Sequence, residues 1–235
     1  MRDSLAPYWG PAATIGWSLF IAAVFVSLQF ATLFGFAAAG HAPESASGTL
    51  IAYASIASGI GCTALVFGIV KLKRGSSAID YLRLNPVSAG TLFRWLAITV
   101  ALIAVADFIT VSIGRPLVPE FMQKAYATAD SPAFLWIALV VAAPLFEEVF
   151  FRGFLFTGLE STVLGPAGAI LVTAAVWACI HLQYDAYEMA LILCLGVVLG
   201  LARLATRSLY VPFAMHATMN FVATFETALL AVRGS

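Results

Sequence analysis

Residues 133–159 read AFLWIALVVAAPLFEEVFFRGFLFTGL, a run long enough to cross a bilayer that nevertheless holds Pro144, Glu147, Glu148 and Arg152. A spanning helix needs about 20 apolar residues. A charge near the bilayer centre costs roughly 2.5–3.5 kcal/mol on insertion scales, so residues that bear it are functional candidates by default. Glu148 and Arg152 stand four apart with the acid nearer the N-terminus, the favourable order for an ion pair on one helix face. Arg152 therefore neutralises Glu148 and leaves Glu147 about 100° away around the helix. With the cation committed to one carboxylate, the other is suited to general-base work. Pro144 removes a backbone donor and clashes with the preceding turn, which opens a kink or groove able to admit water. The competing reading is a helix–helix salt-bridge cluster with no chemistry.

Composition agrees with a membrane setting. Of 235 residues, 62% are apolar and only 10% charged, against roughly 25% charged in soluble domains. A water-soluble fold of this size could not hide so much apolar surface, so the lipid bilayer is the expected solvent and partner. Formal net charge is zero, which argues against a nucleic-acid partner, since neutralising phosphates takes a basic stripe. Cys62, Cys179 and Cys194 lie in apolar runs without a CxxC pair and read as buried packing residues.

Outward from residues 133–159, further spans are expected at Ala12–Ala39, Thr49–Val70, Thr91–Ile113, Gly165–Leu182, Glu188–Leu204 and Tyr210–Ala231. The first is too long for a signal-peptide core of roughly 7–15 residues, despite the small residues Ala37 to Ala39. A short amphipathic stretch is expected at Ala78–Leu84, and residues 115–130 read as a polar loop. Pro212 is able to divide the last run, so the predicted architecture is an all-α polytopic bundle of seven or eight transmembrane helices. Residues 1–235 form one integral-membrane domain without tandem repeats. Lys71, Lys73, Arg74 and Arg83 follow the second span and Arg203 and Arg207 follow the sixth, while residues 40–48 carry no Lys or Arg. The positive-inside rule then puts the N-terminus in the cytoplasm. Arg115 and Lys124, on the outer side, run against that trend.

Two of the three histidines fall in apolar helices. His181 lies near the end of the fifth span, and His216 shares a face of the last span with Asn220. Counted from the cytoplasmic ends at about 1.5 Å per residue, Glu147 is roughly 18–20 Å deep, His181 about 22–24 Å, and His216 and Asn220 roughly 9–15 Å. One shared site near mid-membrane is compatible with these depths.

The string Glu147-Glu148-x-x-x-Arg152-Gly153-Phe154, the later Trp177-x-x-x-His181 and the final His216-x-x-x-Asn220 resemble the CPBP family of CAAX-processing and bacteriocin-processing intramembrane proteases, also called the abortive-infection family. The resemblance covers residues 133–227. It departs from the family at Trp177, where phenylalanine is usual; both are large aromatics expected to pack. The resemblance implies that Glu147 activates the hydrolytic water, with His181 helping to hold or deprotonate it. It also implies that His216 and Asn220 stabilise the tetrahedral oxyanion, and that Glu148 and Arg152 support the helix geometry. Peptide hydrolysis needs such a base and preorganised donors where negative charge develops.

The family has also been described as metalloproteases, and Glu147, His181 and His216 could offer a carboxylate and two imidazoles to zinc. The sequence has no His-Glu-x-x-His helix, and the metal-free glutamate mechanism is favoured, with no cofactor. The expected function is an endopeptidase acting on a membrane-associated peptide or lipidated protein, prenylated CAAX proteins included, and the compact chain points to a bacterial plasma membrane. Two alternatives compete: a non-catalytic protein of the same fold, in bacteriocin immunity or as an assembly partner, and a transporter using the acidic pair as a proton site. The lack of internal duplication disfavours the transporter. Asp107 is an intramembrane acid without a local partner that either caps an internal hydrogen bond or lines the cavity. Asp185 either orients His181 or marks the outer boundary. Gly196 and Gly200 are spaced for close helix packing, and Trp17, Trp95 and Trp136 read as interface anchors or packing residues.

Overall fold

Long apolar runs without internal breaks give long helices, and the computed structural model, which describes residues 8–40 and 47–234, is helical in nearly every one of them. Among the described residues nine helices are numbered: α1 (Pro11–Ala38), α2 (Gly48–Leu72), α3 (Ala78–Leu82), α4 (Ala89–Ser112), α5 (Glu120–Ala127), α6 (Pro132–Glu160), α7 (Gly165–Cys179), α8 (Ala186–Thr206) and α9 (Tyr210–Gly234). Five of them, α1, α2, α4, α6 and α8, are long and apolar enough to cross a membrane. The loop expected to lack basic residues lies largely outside the described residues.

Three expectations change. Pro212 does not divide the last run, because it falls in the first turn of α9, where a backbone N–H has no intrahelical acceptor to lose. Residues 115–130 are not all loop: α5 packs Met122 and Ala125 inward against α2 and α9. The fifth run ends early, α7 having 15 residues and stopping at Cys179, so His181 stands in the turn beyond it.

Helix α6 is the axis of the bundle. Half of its most apolar window is buried, against 6% for α1 and 11% for α4. Phe146, Phe150, Phe151, Phe154 and Phe156 of α6 meet Ile21 of α1, Val66 and Ile69 of α2, Leu199 of α8 and Met215 of α9 in one core. Large apolar side chains such as Leu19, Phe93 and Phe108 point outward instead, as a lipid-facing surface requires. Of the cysteines only Cys62 is buried, while Cys179 and Cys194 are exposed. An apolar helix in lipid has no reason to turn a thiol inward.

Polar contacts tie the connections together at both ends. At one end the Leu209 N–H donates to Arg83 O (2.9 Å) and Asn85 Nδ2 to Arg207 O (2.8 Å), which brings the two basic segments to the same end of the bundle. At the other, Asp185 caps α8 in a capping box with Glu188 and pairs with Arg115 at the end of α4. The Glu188 backbone N–H, with help from Arg115, holds the Asp185 carboxyl below the usual carboxylate range. Asp185 thus marks this boundary and does not orient His181. Asp107 has Glu226 of α9 as its charged neighbour, and Glu226 lines a cavity of about 460 Å³ with Gln123 and Leu230.

Candidate active site

The backbone of α6 departs from α-helical geometry twice, with π-helical turns at Ala138–Ala142 and at Glu148–Leu155. Such turns leave carbonyls without their usual donors and recur at functional sites. In the first, the Ala143 N–H bonds to Ala138 O, so the next carbonyl, Leu139 O, would need the nitrogen of residue 144, which is proline. Asn220 Nδ2 of α9 supplies the missing donor at 2.8 Å. In the second, Arg203 of α8 donates from Nε to Arg152 O (3.0 Å) and from Nη2 to Thr157 Oγ1 (3.3 Å). Each irregular turn is therefore braced by a side chain from a neighbouring helix.

The brace at Leu139 O has a measurable consequence. Asn220→Ala leaves a part-buried carbonyl unsatisfied and lowers unfolding stability by about 1 kcal/mol. In a Pro144→Ala background the same change costs clearly less, because an alanine at this position restores a backbone donor. Thermal unfolding of the four proteins in detergent measures the coupling; equal losses in both backgrounds would remove the link between Asn220 and Pro144.

The two adjacent glutamates differ sharply. The Glu148 side chain is 0% exposed, and its Oε1 accepts from Arg152 Nη1 (2.9 Å) and faces His216 Nδ1 at 2.9 Å. Arg152 is equally sealed, with Nη2 reaching Gly196 O at 3.2 Å and its guanidinium 4.6 Å from the centre of the Trp177 ring. Glu147 keeps 19% of its side chain exposed, and its Oε2 lies 3.9 Å from His216 Nε2. It also accepts a hydrogen bond from Trp177 Nε1 at 2.5 Å.

The imidazoles are fixed by their other nitrogens. His181 Nδ1 lies 2.6 Å from Trp177 O; a carbonyl only accepts, so Nδ1 carries the proton and Nε2 is left with its lone pair. His216 Nδ1 likewise donates to the Glu148 carboxylate, which leaves Nε2 turned toward Glu147. Between the two histidines stands Trp177, with ring centres 5.2 Å from His181 and 5.1 Å from His216. The structure joins Glu147, Glu148, Arg152 and His216 directly, reaches His181 through Trp177, and places Asn220 against Leu139 O of the same helix as the glutamates.

Two residues at the site have roles that the sequence does not single out. Trp177 is more than packing, since its indole N–H reaches Glu147; a donor-only side chain one turn before His181 is the available signal. Arg203, which the sequence uses only for orientation, is 1% exposed and braces α6. Among the described residues no three His, Cys, Asp or Glu side chains are arranged to hold a common metal ion. Both Nδ1 atoms are committed, so Nε2 is the nitrogen that each imidazole leaves free.

A sealed carboxylate neutralised by a guanidinium stands beside a half-open carboxylate that faces the His216 imidazole, inside a bundle of apolar helices. Residues 129–222, the segment that holds every one of these groups, match the family described as type II CAAX prenyl endopeptidase Rce1-like. The similarity to that family is confined to this segment, which holds all three motifs. No curated protein and no solved structure matches the chain.

Proposed function

We propose that this protein hydrolyses a peptide bond in a membrane-associated substrate, with a prenylated CAAX-type protein as the class suggested by the family that residues 129–222 match, by a water molecule that Glu147 activates. The observation that carries the reading is the unequal state of the two glutamates: Glu148 is sealed and paired, whereas Glu147 is accessible and faces the His216 imidazole. Water lies against Glu147 and hydrogen-bonds to the bare Nε2 of His181. Glu147 takes a proton as the water oxygen bonds to the scissile carbonyl carbon, and the carbonyl π pair moves onto oxygen. His216, as an imidazolium donating from Nδ1 to Glu148, meets that oxyanion with its second N–H at Nε2, and the second amide N–H of Asn220 is the other donor. Collapse breaks the C–N bond, and the proton held by Glu147 passes to the departing amine. Arg152 and Glu148 are positioning residues.

No metal is required in this scheme. The basic end carrying Arg83 and Arg207 faces the cytoplasm, with the N-terminus on the same side, and the membrane is a bacterial plasma membrane. Purified protein incubated with prenylated and unprenylated CAAX peptides, with and without a chelator, tests the reading. Cleavage of the prenylated peptide that survives chelation is expected. Stoichiometric bound zinc with chelator-sensitive cleavage would overturn the metal-free scheme, and no cleavage of any membrane-associated peptide would overturn the protease reading.

A further inference from the structure

The indole of Trp177 is held on every side. It is 3% exposed, Arg152 stacks on its face, and His181 and His216 meet it at steep angles of 79° and 77°. Behind it, α8 comes so close that a Cβ added at Gly196 would lie 3.0 Å from Trp177 Cε3. That close approach is what Gly196 permits, and the same residue gives its carbonyl to Arg152. An indole fixed in this way points its only polar atom, Nε1–H, at Glu147 Oε2. His216 Nε2 faces the same oxygen. Among the described residues, Glu147 Oε1 accepts no hydrogen bond.

We propose that Trp177 is a positioning residue for the reaction: its indole N–H fixes Oε2 of Glu147, so that Oε1 is the oxygen presented to water. A carboxylate on a side chain with three rotatable bonds otherwise samples many orientations, and misplacement by about 1 Å costs on the order of 10²-fold in rate. A phenylalanine, the residue usual at this point of the motif, fills much of the same space without the donor. Here the orienting contact comes from the aromatic residue of the second motif, on a different helix from the base it serves. The inference rests on the reading of Glu147 as the base.

Trp177→Phe keeps an aromatic ring between the histidines and removes the donor. We expect kcat for peptide cleavage to fall about 10-fold to 100-fold, the loss of one hydrogen bond to a charged group, with KM within about twofold. Wild-type kcat in the folded variant would overturn the proposal. A second measurement does not depend on activity. In protein labelled with ¹⁵N-tryptophan, the five tryptophans give separate indole resonances, and that of Trp177 is assigned by its loss in Trp177→Phe or Trp177→Tyr. Glu147→Ala removes the acceptor and should move this indole proton resonance upfield; an unmoved resonance would overturn the proposal even if Trp177→Phe fails to fold. Full cleavage by Glu147→Gln would instead sink the reading of Glu147 as the base, whatever the indole resonance does.

Discussion

Glu147→Gln lowers kcat for peptide cleavage by about 10²–10⁴-fold, the range a general base contributes, and leaves the unfolding midpoint close to that of the wild type. The amide has the shape of the carboxylate and still offers an oxygen to the Trp177 N–H, so the site keeps its packing while losing its base. Side-chain accessibility at Glu147 spares the variant any large desolvation change. Single-turnover cleavage and thermal unfolding in the same detergent separate the two quantities. Retained cleavage would remove Glu147 from the chemistry, and a collapse of stability would recast it as a structural group.

Arg152→Met has the opposite signature. It strands the sealed carboxylate of Glu148 with only His216 beside it, and breaking one side of a buried ion pair costs about 3–5 kcal/mol. The guanidinium also supports Gly196 O and the face of Trp177, so activity falls with stability. Adding Glu148→Gln removes the stranded charge, and the double variant should recover most of the lost stability. Unfolding of both variants beside the wild type provides the check; a single variant as stable as the parent would mean that the pair contributes nothing to the fold.

The bundle is legible in the sequence because lipid imposes a simple demand: a spanning segment must be apolar and satisfy its own backbone. The expected span limits fall within a few residues of the helix ends for α1, α2, α4 and α8. The Glu148–Arg152 pair follows from helical spacing alone. What escapes is anything that depends on how helices face one another. Spacing puts Asn220 on the face of His216, but its use by Leu139 O arises only because Pro144 and a π turn leave that carbonyl without a donor. Trp177 reads as packing because an indole in an apolar run usually is, and its N–H has a purpose only when α7 lies against α6. The exposure of Cys179 and Cys194 escapes for the same reason, as hydrophobicity does not distinguish the core from the lipid.

The brevity of α7 bears on how water arrives. Its 15 residues rise about 22 Å, well short of the roughly 30 Å of hydrocarbon in a bilayer. The turn that carries His181 therefore ends below the level at which a full-length neighbour would emerge, and irregular backbone is not tolerated against lipid tails. Either the acyl layer thins locally to meet it or a hydrated recess reaches down to it. Both outcomes bring bulk water within a few residues of an imidazole that would otherwise be sealed in oil, so that a truncated helix would act as the supply line for the hydrolysis proposed above.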